Sequence, residues 1–134
     1  QNKNEKAIED FKRVLKIDKN HLNSWVRCAA IYRKLKNYDK ALELFKYAYE
    51  NFSQPLDIAT DIGLTLFEKG NLEESEAVLK EIISKKPDNY TAKRILSLIY
   101  HKTPGKKKLA LEIEEELDGK IDFQAIDNFI NANK

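Results

Sequence analysis

The sequence predicts an all-α protein, an α-solenoid of antiparallel helix pairs, on three observations. Gly (4) and Pro (3) are scarce in 134 residues, which leaves too few chain reversals for a sheet protein and favours helices joined by short turns. The apolar residues recur with the period of a helix. Residue types and turns also repeat at a fixed interval, the mark of a repeat architecture.

Each element follows from its pattern. A helix is expected over 5–17, where Ala7, Ile8, Phe11, Val14 and Leu15 make an apolar stripe. The next, over 22–35, carries Trp25, Cys28, Ala29 and Tyr32 at i, i+3, i+4 and i+7. Ala41, Leu42, Phe45, Ala48 and Tyr49 stripe a third, over 38–52, and the turn between is short enough to force the two antiparallel. Helices over 56–69, 72–86, 90–102 and 106–118 follow by register. Ala7, Ala41, Ser75 and Leu109 stand 34 residues apart, and each precedes by four a large apolar residue: Phe11, Phe45, Leu79 and Ile113. Tyr32, Leu66 and Tyr100 keep the same step, and so do the turns Leu35-Lys36-Asn37, Lys69-Gly70-Asn71 and Thr103-Pro104-Gly105. Ala29, Gly63 and Ser97 form one column of small residues and Ala7, Ala41 and Ser75 another, so that helix axes can approach closely there. Asp88-Asn89 and Asp122 read as N-caps, and Gly119 as a helix stop. A last helix over 122–132 places Phe123, Ile126, Phe129 and Ile130 on one side. Asp122, Gln124, Asp127, Asn128, Asn131 and Asn133 lie on the other, as a solenoid's terminal cap requires.

With those residues in place the chain resembles the tetratricopeptide repeat family, whose unit puts a Trp, a Leu-Gly pair and a Tyr on helix A, then Ala, Phe and Ala on helix B, then Pro. The unit 22–55 matches at Trp25, Tyr32, Ala41, Phe45 and Ala48, and the unit 56–89 at Ile62-Gly63 and Pro87. The unit 90–119 keeps Leu96 and Tyr100 and then diverges, with Leu109 and Glu116 where small residues are usual. Residues 5–21 read as the helix B of a truncated repeat and 120–134 as a capping helix, all within a single domain. The pentatricopeptide repeat, which reads RNA, runs 35 residues per unit and does not align Ala7 and Phe11 with Ala41 and Phe45. The resemblance implies a right-handed superhelix.

It also implies a protein-interaction scaffold that binds a partner peptide or helix in a concave groove lined by the A helices. The residues off the packing stripe are Asn23, Val26, Arg27, Ala30, Arg33 and Lys34 in the first full unit. In the second they are Asp57, Thr60, Asp61, Leu64, Phe67 and Glu68, and in the third Thr91, Arg94, Leu98, His101 and Lys102. The groove expected from them has an apolar floor (Val26, Ala30, Leu64, Phe67, Leu98), basic flanks (Arg27, Arg33, Arg94, Lys102) and acidic Asp57 and Asp61 between, which suits an amphipathic partner carrying acidic groups. Some co-chaperones of the family clamp a peptide carboxylate with Lys, Asn and Arg. Here Val26, Ala30, Asp61, Thr91 and Ile95 stand in those columns, so that ligand is not expected. A regulatory or substrate-presenting domain of a larger enzyme or complex is the alternative, and an RNA-binding module ranks behind both. The uncovered apolar face of the first helix leads us to expect self-association.

No catalytic centre, cofactor or metal is expected. Cys28 falls on the packing stripe, where a buried structural thiol fits best. His21 and His101 have no cluster of further ligands in sequence. Glu114, Glu115 and Glu116 point in different directions on a helix and read as a solvated face. Lys106-Lys107-Lys108 opens a helix against its dipole and reads as a solvated turn. The balance of 24 basic against 22 acidic residues gives +2, which does not point to nucleic acid or an anionic membrane. The apolar runs are too short to span a bilayer. The single cysteine mildly favours a reducing, cytoplasmic setting. The chain opens on Gln1 with no secretory pattern, so it is expected to be a piece of a longer protein.

Overall fold

A computed structural model describes residues 2–53 and 55–132. Among the described residues there are eight helices and no strand: α1 (Asn2–Ile17), α2 (Leu22–Lys34), α3 (Tyr38–Asn51), α4 (Leu56–Lys69), α5 (Leu72–Lys85), α6 (Tyr90–Lys102), α7 (Lys107–Leu117) and α8 (Phe123–Ala132). The expected helices are therefore all present, with α1 starting earlier than the stripe suggested. Asn133 and the side chain of Asn131, expected on the cap's polar side, lie outside the described residues. No helix among the described residues is long and apolar enough to cross a membrane.

Local chemistry sets the boundaries. Asn37 and Asn89 cap α3 and α6 by accepting from the backbone N–H groups of Lys40 and Ala92, and Asp122 accepts from Gln124 and Ala125 to start α8. α2 and α4 end alike. Asn37 N–H donates to Tyr32 C=O at 2.9 Å and Asn71 N–H to Leu66 C=O at 2.9 Å, while Lys36 and Gly70 donate to Arg33 and Phe67. This double closure needs a left-handed residue, supplied by Lys36 (φ 65) in one turn and Gly70 (φ 95) in the next. The third turn slips by one residue. Proline cannot take a positive φ, so Pro104 passes the left-handed position to Gly105 (φ 82).

From α1 to α7 successive helices pack on one another, α4 also contacts α6, and α8 packs on α6. The result is the right-handed solenoid of helix pairs. The two small-residue columns meet in its core. Ala29, Ala41, Ser75 and Ser97 are fully buried, and Ser75 Oγ donates to the Gly63 carbonyl at 2.6 Å. Gly63 has no room for a side chain, because a Cβ there would stand 2.9 Å from Leu79 Cδ2 and 3.2 Å from its Cγ. Phe45 and Leu79 are buried beside these columns. In α1, Ile8 and Leu15 are buried on the array, while Val14 and Ile17 stay exposed.

Candidate functional site

The A-type helices α2, α4 and α6, with α8 beyond them, carry all the expected groove residues. Asn23, Arg27, Lys34, Asp57, His101 and Lys102 are exposed, and Val26, Ala30, Thr60, Asp61, Phe67, Thr91, Arg94 and Leu98 are half-buried. Leu64 is fully buried as a floor residue. The structure brings Asp57, Thr60, Asp61, Leu64 and Thr91 together around a cleft of about 290 Å³, joined there by Asn89 and Phe129. Asn89 ties the first turn of α6 to α4 by donating from Nδ2 to Thr60 Oγ1 at 3.3 Å. Val26, Ala30, Phe67 and Leu98 lie outside this cleft's lining.

Two of the cations expected along the rim, Arg33 and Arg94, are already held by carboxylates. Arg33 is buried, with its Nη1 3.8 Å from Oε1 of Glu68, whose side chain is buried as well. Arg33 Nε and Nη1 donate no hydrogen bond among the described residues. Arg94 is gripped from two sides. Its Nε and Nη2 bind the two oxygens of Asp127 at 2.9 and 3.0 Å, its Nη1 reaches Glu114 at 2.6 Å, and its guanidinium lies 5.0 Å above the Phe123 ring. The carboxylate bonds from Asp127 hold the guanidinium all the more firmly protonated. Lys102 sits 5.8 Å over the Phe67 ring, and His101 Nε2 lies 3.0 Å from Glu114.

Two expectations are corrected here. Two of the four basic flanks, Arg33 and Arg94, are not open to an acidic partner, because Glu68, Glu114 and Asp127 already neutralise them, whereas Arg27 and Lys102 stay exposed. The acidic run of α7 is not merely solvated, because Glu114 binds Arg94 while Glu116 pairs with Lys93. Sequence reasoning also placed Asp127 on the solvent side of α8 and gave Phe129 and Asn89 no part in the site. The cue for Phe129 was its place on an apolar stripe that a terminal helix need not bury completely.

What remains at the cleft is acidic. Burial pushes the Asp61 carboxyl up to about 6; the nearby Arg33 guanidinium works against that rise, and the Asp57 carboxylate adds to it. Folding therefore raises this group's affinity for a proton. Its stabilising contribution is complete below the unfolded pKa of about 4 and is lost as pH climbs to about 6. Asp61→Asn is accordingly expected to be more stable than the parent at neutral pH by about 1–2 kcal/mol, after allowance for partial exposure. That advantage should shrink as pH falls from about 6 to about 4. Paired urea titrations across that window check it; an advantage that does not change with pH would contradict the assignment.

Cys28 lies away from the cleft, fully buried, and burial raises its thiol pKa, so it stays protonated and inert.

Comparison with known proteins follows the same outline. A family model described as Tetratricopeptide repeat matches residues 33–99, and a second with the same description matches residues 1–54. Among solved structures, MamA RS-1 (ArsTM double mutant) superposes with a TM-score of 0.71 at 20% identity, over 87% of this chain and 68% of that one. MamA AMB-1 in its P212121 form gives 0.68 at 17% identity, over 90% of this chain and 68% of that chain. The MamA D159K mutant gives 0.69 at 17% identity, with 86% of this chain and 64% of that one covered. At such identities the likeness speaks for the fold alone. Curated protein sequences gave no match.

Proposed function

The chain belongs to the tetratricopeptide repeat family, and from that premise we propose that it is a protein-interaction scaffold whose concave groove seats a segment of a partner protein. The observation that carries this reading is the cleft at Asp57, Thr60, Asp61 and Thr91, about 290 Å³ in volume and floored by Leu64. It holds a carboxyl poised near pKa 6 among hydroxyl and amide groups. A basic or donor-rich side chain would convert the desolvated Asp61 from a liability into a charge-assisted bond. An amphipathic partner with a Lys or Arg near its apolar anchor fits this cleft better than the acidic one the sequence suggested. Self-association through α1 belongs to the same reading, supported by the exposure of Val14 and Ile17.

The test uses photocrosslinking and affinity. A photoreactive residue in place of Thr60 or Leu98 is expected to trap the same partner, whereas one in place of Lys46 on the opposite face traps none. Thr60→Arg, which fills the cleft and satisfies Asp61 internally, is expected to weaken partner retention about tenfold, equivalent to about 1.4 kcal/mol, with helicity unchanged. Undiminished retention by Thr60→Arg, or crosslinking from Lys46 alone, would defeat the groove reading.

A further inference from the structure

The face opposite the groove carries clefts between successive B-type helices. One lies between α1 and α3 over α2 and measures about 490 Å³; another lies between α3 and α5 over α4 and measures about 290 Å³. They are the same place one repeat apart. Lys12, Lys16, Trp25 and Tyr47 in the first correspond, 34 residues on, to Lys46, Glu50, Ala59 and Glu81 in the second. Each cleft therefore serves as a control for the other.

Their chemistry differs. The second is lined by Lys46, Glu50, Glu81 and Lys85, equal in positive and negative charge, and Lys85 pairs with Glu81 at 3.4 Å. The first is lined by Lys12, Lys16, Lys19 and Lys40 against Glu43 alone. Glu43 is already engaged by Lys40 at 3.4 Å, and none of Lys12, Lys16 and Lys19 pairs with a carboxylate among the described residues. The first cleft also has an aromatic wall held in place. Trp25 Nε1–H donates to the Lys19 carbonyl at 2.9 Å, and its ring meets Tyr47 with centroids 4.2 Å apart. Three uncompensated ammonium groups around a fixed indole make a rim that attracts anions and a wall that takes apolar surface at little ordering entropy. The cleft is open to solvent, so a chain can run through it with one side chain anchored inside.

We propose that this convex cleft is a second binding site, independent of the groove, for an acidic segment of a partner protein that inserts a large apolar side chain against Trp25 between flanking carboxylates. Trp25 is the only tryptophan in the chain, so its emission reports occupancy directly. The probe is a short synthetic peptide without tryptophan, a central Leu-Phe flanked by glutamates on both sides. It is expected to shift or quench Trp25 emission in a saturable, salt-sensitive way. Lys12→Glu combined with Lys16→Glu should weaken it at least about tenfold, and so should Lys19→Glu, which lies outside any helix. Lys46→Glu in the sister cleft and Thr60→Arg in the groove should leave it unchanged, with helicity retained throughout. The proposal is overturned if the acidic peptide does not move Trp25 emission, or if a peptide with lysines in place of the glutamates binds as well. It is equally overturned if Lys46→Glu matches the effect of the first-cleft reversals, or if an RNA oligonucleotide proves the stronger ligand.

Discussion

Arg33→Ala is expected to lower the free energy of unfolding by about 3–5 kcal/mol. Arg33 and the Glu68 side chain are buried together, 3.8 Å apart, one on α2 and the other on α4. Removing the guanidinium takes a buried cation from beside the Glu68 carboxylate and leaves Asp61 without the cation that restrains its pKa. The pair itself is a poor stabiliser. At 3.8 Å it makes no direct hydrogen bond, and desolvating both ions offsets their attraction. Arg33→Met with Glu68→Leu is therefore expected to come within about 1 kcal/mol of the parent or above it. Equilibrium denaturation of the two singles and the double decides the matter: a double variant as unstable as either single would show that the ions contribute much more than packing.

Gly63→Val is expected to destabilise by about 3 kcal/mol. Glycine in a helix interior ordinarily gives up about 1 kcal/mol relative to alanine, so its presence in α4 needs a cause. The cause is contact: a Cβ would come within 2.9 Å of a side chain that is itself fully buried, and the Gly63 carbonyl accepts the Ser75 hydroxyl across the same interface. Leu79→Ala alone should cost about 2–5 kcal/mol by opening a cavity. Combined, the two changes should partly relieve each other, and the double variant should fall short of the sum by at least about 1 kcal/mol. Strict additivity in thermal or urea unfolding would mean that Gly63 is present for some reason other than Leu79.

The architecture was legible in the sequence because the interval of 34 residues recurs in features of different physical origin. Large residues, small residues and turn residues each serve a separate need, so their common register leaves one arrangement that meets all three. Ala29, Ala41 and Phe45 were read as packing and are packing. The turns were read as equivalent, and two of them close with the same hydrogen bonds; the third slips because its sequence holds a proline where the backbone must turn left-handed.

The electrostatics of the groove were less legible, for a geometric reason. A repeat register compares residues 34 apart, but Arg33 and Glu68 lie 35 apart, one on α2 and the other on α4. Whether Arg33 faces solvent or Glu68 depends on how those two helices are set against each other, which no single helical stripe encodes. Asp127 was misplaced for a related reason. A terminal helix was taken to turn all its polar residues outward, yet Arg94 draws one of them inward. An arginine on one A-type helix is therefore claimed by an acid two helices on, Arg33 by Glu68 and Arg94 by Asp127, before any partner arrives.

The Arg94 junction has a consequence for how the array comes apart. One guanidinium joins α6, α7 and α8 through Glu114, Asp127 and Phe123, so parting α7 or α8 from α6 breaks a charge-assisted bond. At the opposite end α1 is held by buried Ile8 and Leu15, and the ion pairs of Arg13 with Glu9 and Asp10 stay within its own helix. The described array is thus held differently at its two sides: α6, α7 and α8 share one charge-assisted junction, whereas α1 is seated by apolar contacts.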